Sequence, residues 1–300
     1  MSKDVFTFLV GGKAGEGVKK AGSVAAQLFA DMGRQVFQMD DYQSLIKGGH
    51  NFSIVSTAKR KITSHYAKAD LIVALDKRSY DLHKTDLTDN GIMVYNSDSV
   101  EQVGGVGVPL TIEANKYPNP NLRIGVGAVA SLAAAVGIDK DDLKKLIENE
   151  YPRDIENNIA YAIAIYDMLY PKIGDKFQLE KGDKKRPIVT GNEAIGLGAT
   201  AGGLDIFFAY PMTPSSTLLH FLAAHDKELG VTVVHPENEI GVINMALGSI
   251  FSGARAMVGS SGGGFALMEE AFSLAGMLEA PLLCYLGSRP GPSTGVPTYS

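Results

Sequence analysis

Cysteine is nearly absent from this chain: among 300 residues, Cys284 is the only one. A single thiol cannot form an internal disulfide, complete a structural zinc site or hold an iron–sulfur cluster by itself. Any redox centre that the protein uses must therefore lie on another chain.

Strong basic charge and long apolar runs are also missing. The chain has 28 Lys and Arg residues against 33 Asp and Glu residues, a formal net charge of −5, so it lacks the positive field that attracts phosphate backbones. No apolar run reaches the roughly 18 to 20 residues that span a bilayer, and the N-terminus lacks the pattern of a signal peptide. We therefore expect a cytoplasmic protein that binds neither nucleic acid nor membranes.

What is present is the composition of a folded α/β protein. Hydrophobic residues make up 45% of the chain and charged residues 20%, and this length predicts two domains. Strand patterns alternate with helix patterns in both halves, which predicts mainly parallel sheets covered by helices on both faces. We predict strands at 5–10, 35–39, 51–57, 71–75, 91–95, 206–210, 232–235, 256–259 and 281–286. We predict helices at 18–32, 126–136, 140–149, 193–201, 215–226, 239–251 and 265–277.

The domain boundary is predicted from a shift in composition. Between Tyr170 and Arg186 the chain is rich in Lys, Asp, Gly and Pro, which cannot bury enough apolar area to form a core. We therefore predict a first domain at 1–170, a linker at 171–189 and a second domain at 190–300. Because the chain ends just after a turn rich in Pro and Gly, we expect it to be a portion of a longer polypeptide whose second domain continues.

Two glycine-rich segments of the first domain leave alternatives open. The first, at 11–17, lacks the Lys and the Ser or Thr of a P-loop, and Lys20 stands where a dinucleotide fingerprint needs Gly or Ala. It is either a tight turn into a helix whose N-terminus can meet an anion, or a degenerate nucleotide site with Asp40 or Asp41 as the ribose-binding acid. The second, Lys47–His50, is either a solvated turn with two potential cations or a contact for an acidic ligand or partner.

The stretch Tyr210–Ser216 (YPMTPSS) is the richest motif of the second domain. Two prolines fix the backbone on either side of Thr213, and Ser215 or Ser216 can cap the helix that follows. The motif lies beyond the carboxyl end of a strand, where ligands bind in open α/β sheets. A turn shaped by proline with ordinary helix caps remains the alternative.

Two carboxylates, Glu237 and Glu239, stand at the start of the next predicted helix. At a helix N-terminus they are usually partners of the helix dipole. A carboxylate that faces an apolar cleft from this position can instead polarise a heterocyclic nitrogen.

Two further motifs follow along the chain. The run GSSGGG at 259–264 allows close approach of backbone to a ligand, or forms a flexible surface loop. The run SRPGPSTGVPT at 288–298 frames Arg289 with residues that restrict the backbone, and arginine binds a carboxylate through two parallel hydrogen bonds.

Together these motifs resemble the α subunit of 2-oxoacid:ferredoxin oxidoreductases of the 2-oxoglutarate synthase type, with a γ-type domain fused ahead of it. In the second domain the resemblance is carried by the strings GNEAIGLGA, YPMTPSS, ENEIGVINMALG, GSSGGGFALMEE and SRPGPSTGVPT, which occur in the family's order. In the first domain it rests on GGKAGEGVKKAG, KGGHN and KADLIVALD and is weaker.

The sequence departs from the family's pattern at three places. Met212 stands for the usual isoleucine of YPITP, which conserves volume. Residues 260–264 read SSGGG instead of TSGPG, which removes a proline. Lys47 replaces the arginine of RGG, which keeps the charge but loses the bidentate fork and weakens any expectation of anion binding there.

The resemblance implies an α/β fold of two domains: a γ-type domain with a mainly parallel sheet, then a thiamine-diphosphate pyrimidine-type domain. It implies oxidative decarboxylation of a 2-oxoacid such as 2-oxoglutarate to an acyl-CoA with electrons passed to ferredoxin, or the reverse carboxylation. The residues implied as catalytic are Glu239, Thr213 and Arg289, and those implied for substrate binding are Thr213, Arg289 and Thr298. Those implied for cofactor binding are Tyr210, Pro211, Glu237, Glu239, Ser261, Gly262 and Gly264, with Glu239 preferred over Glu237 as the carboxylate on the aminopyrimidine ring.

The resemblance also implies partners, because the chain has no motif for the diphosphate and its metal. A β subunit is expected to supply the diphosphate site, magnesium and the iron–sulfur cluster, in an (αβ)2 assembly that shares thiamine diphosphate, with coenzyme A as co-substrate. Two alternatives stay open: a catalytically silent α/β module that binds an anion or nucleotide, and another thiamine-dependent enzyme. The particular 2-oxoacid and the physiological direction are not determined by the sequence.

Overall fold

The computed structural model describes residues 4–42, 49–101 and 104–288. The chain divides into two compact units, residues 1–188 and 189–300. Each unit has a sheet of its own.

The sheet of the first unit is mainly parallel, as predicted. Among the described residues its strands are β1 Val5–Lys13, β2 Gln35–Tyr42, β3 His50–Ala58, β4 Ala69–Ala74, β5 Leu87–Asn96 and β6 Val106–Val108. Their order is β2-β3-β1-β4-β5-β6. Only β3 runs against its neighbours, β1 and β2, while the other pairs are parallel. The carboxyl ends of β1 and β4 therefore meet at one edge.

One helix of the first unit is buried on every side. The helices are α1 Val18–Asp31, α2 Lys77–His83, α3 Leu110–Ala114, α4 Ile124–Val136, α5 Lys140–Glu150 and α6 Ile155–Ile173. Every residue of α4 is buried, and its sequence, IGVGAVASLAAAV, consists mostly of small apolar residues. Because such a helix has no polar face, it is stable only when other elements cover it on all sides, and α1 and α6 pack against it.

The segment predicted as a linker begins inside α6, which runs on to Ile173. Phe177 is buried, and its ring centroid lies 5.1 Å from that of Phe6 in β1. The fully buried Arg34 donates from Nη1 to the carbonyl of Glu180 at 2.8 Å. This part of the segment therefore packs into the first unit in spite of its polar composition, because Phe177 and Leu179 join its core and Arg34 holds its backbone.

The sheet of the second unit is parallel throughout its described residues. Its strands are β7 Ile206–Ala209, β8 Thr232–Val234, β9 Ala256–Ser261 and β10 Leu283–Gly287, in the order β10-β9-β7-β8. Its helices are α7 Gly191–Ala201, α8 Ser216–Ala224, α9 Asp226–Leu229, α10 Glu239–Phe251 and α11 Gly262–Met277. All four strands therefore end at the same edge of the sheet.

The run GSSGGG is not a surface loop. Residues 259–261 belong to β9, and α11 begins at Gly262 without an intervening turn. The alternative of a flexible loop was therefore wrong, since the glycines form the first turn of a helix. None of the helices in the described ranges is long and apolar enough to cross a membrane.

Candidate active site

The carboxyl edge of the second sheet gathers several residues that the sequence motifs singled out. Tyr210 follows β7 and His235 follows β8, and their ring centroids lie 5.6 Å apart. Glu239 begins α10 four residues beyond His235, and Ser261 ends β9. These residues come from separate motifs of the sequence, and the parallel sheet brings them to one edge.

Glu239 and Glu237 have opposite environments. Glu239 is only 4% exposed, and its Oε1 has no hydrogen-bond partner within the described structure. Asn238 caps α10 instead, since its side chain accepts a hydrogen bond from the Gly241 N–H at 2.9 Å. Glu237 is exposed. A helix-dipole role is sufficient for Glu237, but it does not explain Glu239, because burying a carboxylate oxygen without a partner costs free energy.

Gly264, in the first turn of α11, lies directly against Glu239. A Cβ atom added to Gly264 would lie 2.7 Å from Glu239 Oε1 and would overlap Ser260 Oγ. The Gly264 N–H also contacts Met212 Sδ at 3.2 Å. Only glycine leaves this space free, so the site needs the close backbone approach that the glycine run predicted.

The turn around Thr213 is held by a network of hydrogen bonds. Ser215 is the N-cap residue of α8, but its Oγ donates to the Met212 carbonyl at 2.6 Å and accepts no hydrogen bond from the first turn of the helix. The Asn192 side-chain amide donates to the Pro214 carbonyl at 3.1 Å and contacts Thr217 Oγ1. Of the two predicted caps, Ser215 occupies the N-cap position, although its side chain makes no capping hydrogen bond. Thr213 is half-buried in a turn that Asn192 of α7 holds.

Asn192 was not identified by the sequence motifs as a site residue, although it lies in the string GNEA. Its Oδ1 accepts a hydrogen bond from the Tyr285 hydroxyl in β10 at 2.5 Å. Asn192 thus joins α7, the turn at 212–215 and β10. A single asparagine in a glycine-rich helix gives no signal of such contacts, because its partners are distant in the sequence.

Arg289 and Thr298 lie outside the described residues. The chain reaches this segment from Gly287, the last residue of β10, where an added Cβ would lie 3.1 Å from the Ser215 amide nitrogen and 3.4 Å from Pro214 Cγ. Gly287 therefore lies against the turn that carries Thr213.

The predicted cofactor-binding residues Ser261, Gly262 and Gly264 lie at the junction of β9 and α11. Ser261 and Gly264 are buried, while Gly262 is half-buried. Tyr210 and Pro211 are exposed at the same edge of the sheet. The unpartnered Glu239 Oε1 and Ser260 Oγ, next to a glycine that leaves space, fit the polar edge of a heteroaromatic ring.

The glycine-rich turn at 11–17, which is fully described, does not have the arrangement of an open anion site. At the turn 11–17, Glu16 Oε2 accepts a hydrogen bond from the Lys13 N–H at 2.7 Å, and burial raises the pKa of the Glu16 carboxyl. An added Cβ on Gly12 would lie 2.7 Å from the same oxygen. The carboxylate therefore occupies the space over Gly12 that a phosphate would need.

His50 is buried rather than part of a solvated turn, and Lys47 and Gly48 lie outside the described residues. His50 Nε2 lies 2.9 Å from His83 Nε2, and His83 Nδ1 lies 2.9 Å from Asp86 Oδ2. Burial lowers the pKa of His50, and His83 lowers it further. The expectation that His50 is a solvated cation was therefore wrong, because it is hydrogen-bonded inside the unit.

Comparison with known proteins adds a family to each unit. Residues 7–168 match the family described as pyruvate ferredoxin/flavodoxin oxidoreductase. Residues 197–300 match the family described as pyruvate flavodoxin/ferredoxin oxidoreductase, thiamine diphosphate-binding.

Individual relatives and one solved structure agree with these matches. The 2-oxoacid:ferredoxin oxidoreductase subunit alpha of Sulfolobus sp is 26% identical over 97% of this chain and 55% of its own length. The 2-oxoglutarate synthase subunit KorA of Archaeoglobus fulgidus is 40% identical over 37% of this chain and 32% of its own. The structure of 2-oxoglutarate:ferredoxin oxidoreductase from Magnetococcus marinus, with 2-oxoglutarate, coenzyme A and succinyl-CoA bound, is similar with a TM-score of 0.82 and 28% identity. The match to this structure covers 99% of this chain and 54% of the Magnetococcus chain. The chain therefore spans about half the length of the Sulfolobus and Magnetococcus proteins.

Proposed function

Because the chain belongs to the 2-oxoacid:ferredoxin oxidoreductase family, we propose that it acts as the α subunit, with a γ-type domain ahead of it, of a thiamine-dependent enzyme. This enzyme decarboxylates a 2-oxoacid oxidatively to an acyl-CoA and passes the electrons to ferredoxin, or catalyses the reverse carboxylation. The proposed substrate is 2-oxoglutarate, because relatives named 2-oxoglutarate synthase and the solved 2-oxoglutarate enzyme support it. The observation that carries the proposal is the buried, unpartnered Glu239 carboxylate beside Gly264.

Thiamine diphosphate, when bound, supplies the carbanion chemistry of such a reaction. Glu239 would hold the aminopyrimidine ring through Oε1 and share a proton with a ring nitrogen. Because Glu239 is shielded from water, this contact is stronger than it would be in solvent. Tyr210, Pro211 and the first turn of α11 would line the cleft, with Glu237 at its exposed side.

The 2-oxoacid would be held by Thr213 together with Arg289 and Thr298. A carboxylate that enters a cleft loses water and needs charge-assisted hydrogen bonds in return, which Arg289 can supply through two parallel N–H groups. The hydrogen bonds from Asn192 and Ser215 fix the backbone of the turn that carries Thr213, so the turn is ordered before substrate binds.

A partner chain is part of the proposal, and its docking surface would be the apolar face of α10 and α11. Both helices expose large apolar side chains, with Met277 at 83% and Phe251 at 71%. The other members of the apolar face are Ile240, Met245, Leu267, Phe272 and Leu274. Exposed apolar surface of this kind is typical of protein interfaces. The partner would be a β subunit that carries the diphosphate site, magnesium and the iron–sulfur cluster in an (αβ)2 assembly.

The test is reconstitution with the candidate β subunit. The chain alone is expected to reduce no dye with 2-oxoglutarate and coenzyme A, because half of the cofactor site is missing. The complex is expected to show dye reduction that depends on the 2-oxoacid, on coenzyme A and on thiamine diphosphate. Full activity from the chain alone would contradict the two-subunit proposal, and a complex that ignores every 2-oxoacid would favour a silent binding module.

A further inference from the structure

Ser260 has a buried hydroxyl, and it lies in a row of β9 side chains whose other members are apolar. Along β9, Val258 and Ser260 point to the same face of the sheet, because side chains alternate along a strand. Val258 belongs to the apolar cluster that contains Val242 of α10 and Met268 of α11. Ser260 thus lies on the face covered by α10 and α11, and it is only 1% exposed.

The Ser260 hydroxyl has no hydrogen-bond partner within the described structure. Among the described residues of the second unit, Glu239 Oε1 is the other buried side-chain oxygen without a partner. Both oxygens border the space that a Cβ on Gly264 would enter. Unpaired buried polar atoms are rare and costly in folded proteins, and two of them around one glycine point to a shared ligand.

The two oxygens offer different hydrogen bonds. An ionised carboxylate only accepts, whereas a hydroxyl both donates and accepts. Together they suit a ring edge that carries an N–H group and a second polar atom. An aliphatic ligand would leave both oxygens unpaired. A phosphate can accept a hydrogen bond from the Ser260 hydroxyl, but the ionised carboxylate repels it.

We propose that Ser260 is a second cofactor-binding residue of this site, and that its hydroxyl contacts the polar edge of the same heteroaromatic ring that Glu239 binds. The inference rests on the proposed function, since it takes that ring to be the aminopyrimidine of thiamine diphosphate. It assigns a role to a residue for which the resemblance implied none. It also explains why a serine stands at position 260, in a row of apolar side chains.

The experiment measures two properties of Ser260→Ala: its affinity for the cofactor, which should fall, and its stability without the cofactor, which should not fall. Calorimetric titration of thiamine diphosphate with Mg²⁺ into the reconstituted complex is expected to show about 2- to 10-fold weaker binding, the effect of one neutral hydrogen bond. Thermal unfolding of the same protein without cofactor is expected at an equal or higher temperature, because the variant removes a hydroxyl that is unpaired in the empty site. Ser273→Ala, on the exposed side of α11, is the matched control and should change neither.

The outcomes separate the two proposals. If the wild-type complex binds thiamine diphosphate and Ser260→Ala binds it equally well, the inference about Ser260 fails and the proposed function stands. If Ser260→Ala weakens binding but also lowers the unfolding temperature without cofactor, Ser260 is structural and the inference is overturned. If the wild-type complex does not bind thiamine diphosphate at all, both proposals fail. Ser260→Cys, which keeps the volume but donates weakly, serves if the alanine variant does not fold, and its binding equal to wild type would also overturn the inference.

Discussion

At the scale of single residues, the contrast between Glu239 and Glu237 gives the first prediction. Glu239→Gln keeps the shape of the side chain and removes its charge, so kcat of the reconstituted complex should fall by about 10²- to 10⁴-fold. Glu237→Gln should have a smaller effect, because that side chain is exposed. Steady-state rates of the two variants decide the assignment. If Glu237→Gln lowers kcat strongly and Glu239→Gln lowers it only mildly, the roles of the two carboxylates are reversed.

His50 and His83 predict how the stability of the first unit depends on pH. Desolvation and the neighbouring His83 lower the pKa of His50, although Asp76 and Asp41 raise it and Arg78 lowers it. The unfolded chain therefore binds a proton at His50 more readily than the folded chain does. The contribution of His50 to the free energy of unfolding is therefore fully present above the ordinary histidine pKa of about 6.5. This contribution decreases as the pH falls below that value.

The measurement is the unfolding temperature of the first unit between about pH 8 and pH 5. His50→Gln should lower stability at pH 8, because a buried partner of His83 is changed, but it should lose less on acidification than wild type does. His220→Gln, at an exposed position of the second unit, should keep the wild-type dependence. Equal slopes for wild type and His50→Gln would show that another group titrates.

At the scale of helices and strands, the sequence predicted most of the regular elements but missed α6, the longest helix in the described residues. The alternation of strands and helices and the mainly parallel sheets were confirmed. The start of α10 at Glu239 was also correct, because Asn238 gives a clear cap signal. The elements that were missed depend on contacts from far along the chain.

Helix α6 and the short strand β6 are the clearest examples. α6 was not predicted, although Tyr161 and Ile165 are fully buried in the core. Its sequence carries Asn, Tyr and Pro171, whose intrinsic preference for helix is weak, so its stability comes from packing on α4. The closeness of Ser260 and Glu239 to Gly264 could not be predicted from the sequence either. It depends on the register of β9 together with the position of α10.

Asn192 gives a prediction at this scale, because it links α7, the turn at 212–215 and β10. Tyr285→Phe removes the hydroxyl that donates to Asn192 Oδ1, and it should lower the unfolding free energy of the second unit by about 0.5–1.5 kcal/mol. In the complex it should raise KM for the 2-oxoacid more than it changes thiamine diphosphate binding, because the turn carries Thr213. Denaturant titration and kinetics test this, with Tyr170→Phe, which removes an exposed hydroxyl in the first unit, as the control. Unchanged kinetics would mean that the turn is held without Asn192.

At the scale of the whole molecule, the apolar face of α10 and α11 predicts where the partner docks. Met277→Glu places a charge on an 83% exposed side chain, so it should leave unfolding of the chain almost unchanged while it weakens the complex, because a buried charge at an interface is costly. Leu82→Glu, at an exposed leucine of the first unit, is the matched control. Sedimentation of each variant mixed with the partner chain measures how much complex forms. Full assembly by Met277→Glu would place the interface elsewhere.

The contact between Phe6 and Phe177 has a consequence for biosynthesis. A ribosome makes β1 near the beginning of this unit, yet the ring that closes over Phe6 is among the last residues of the unit to be added. Until residue 177 has left the exit tunnel, Phe6 lacks one of the two aromatic rings that contact it, so this part of the core is incomplete in the nascent chain. Stalled nascent chains in which residue 177 is still inside the exit tunnel should remain sensitive to protease. Longer stalled chains, in which residue 177 and the residues after it are outside the tunnel, should resist the protease.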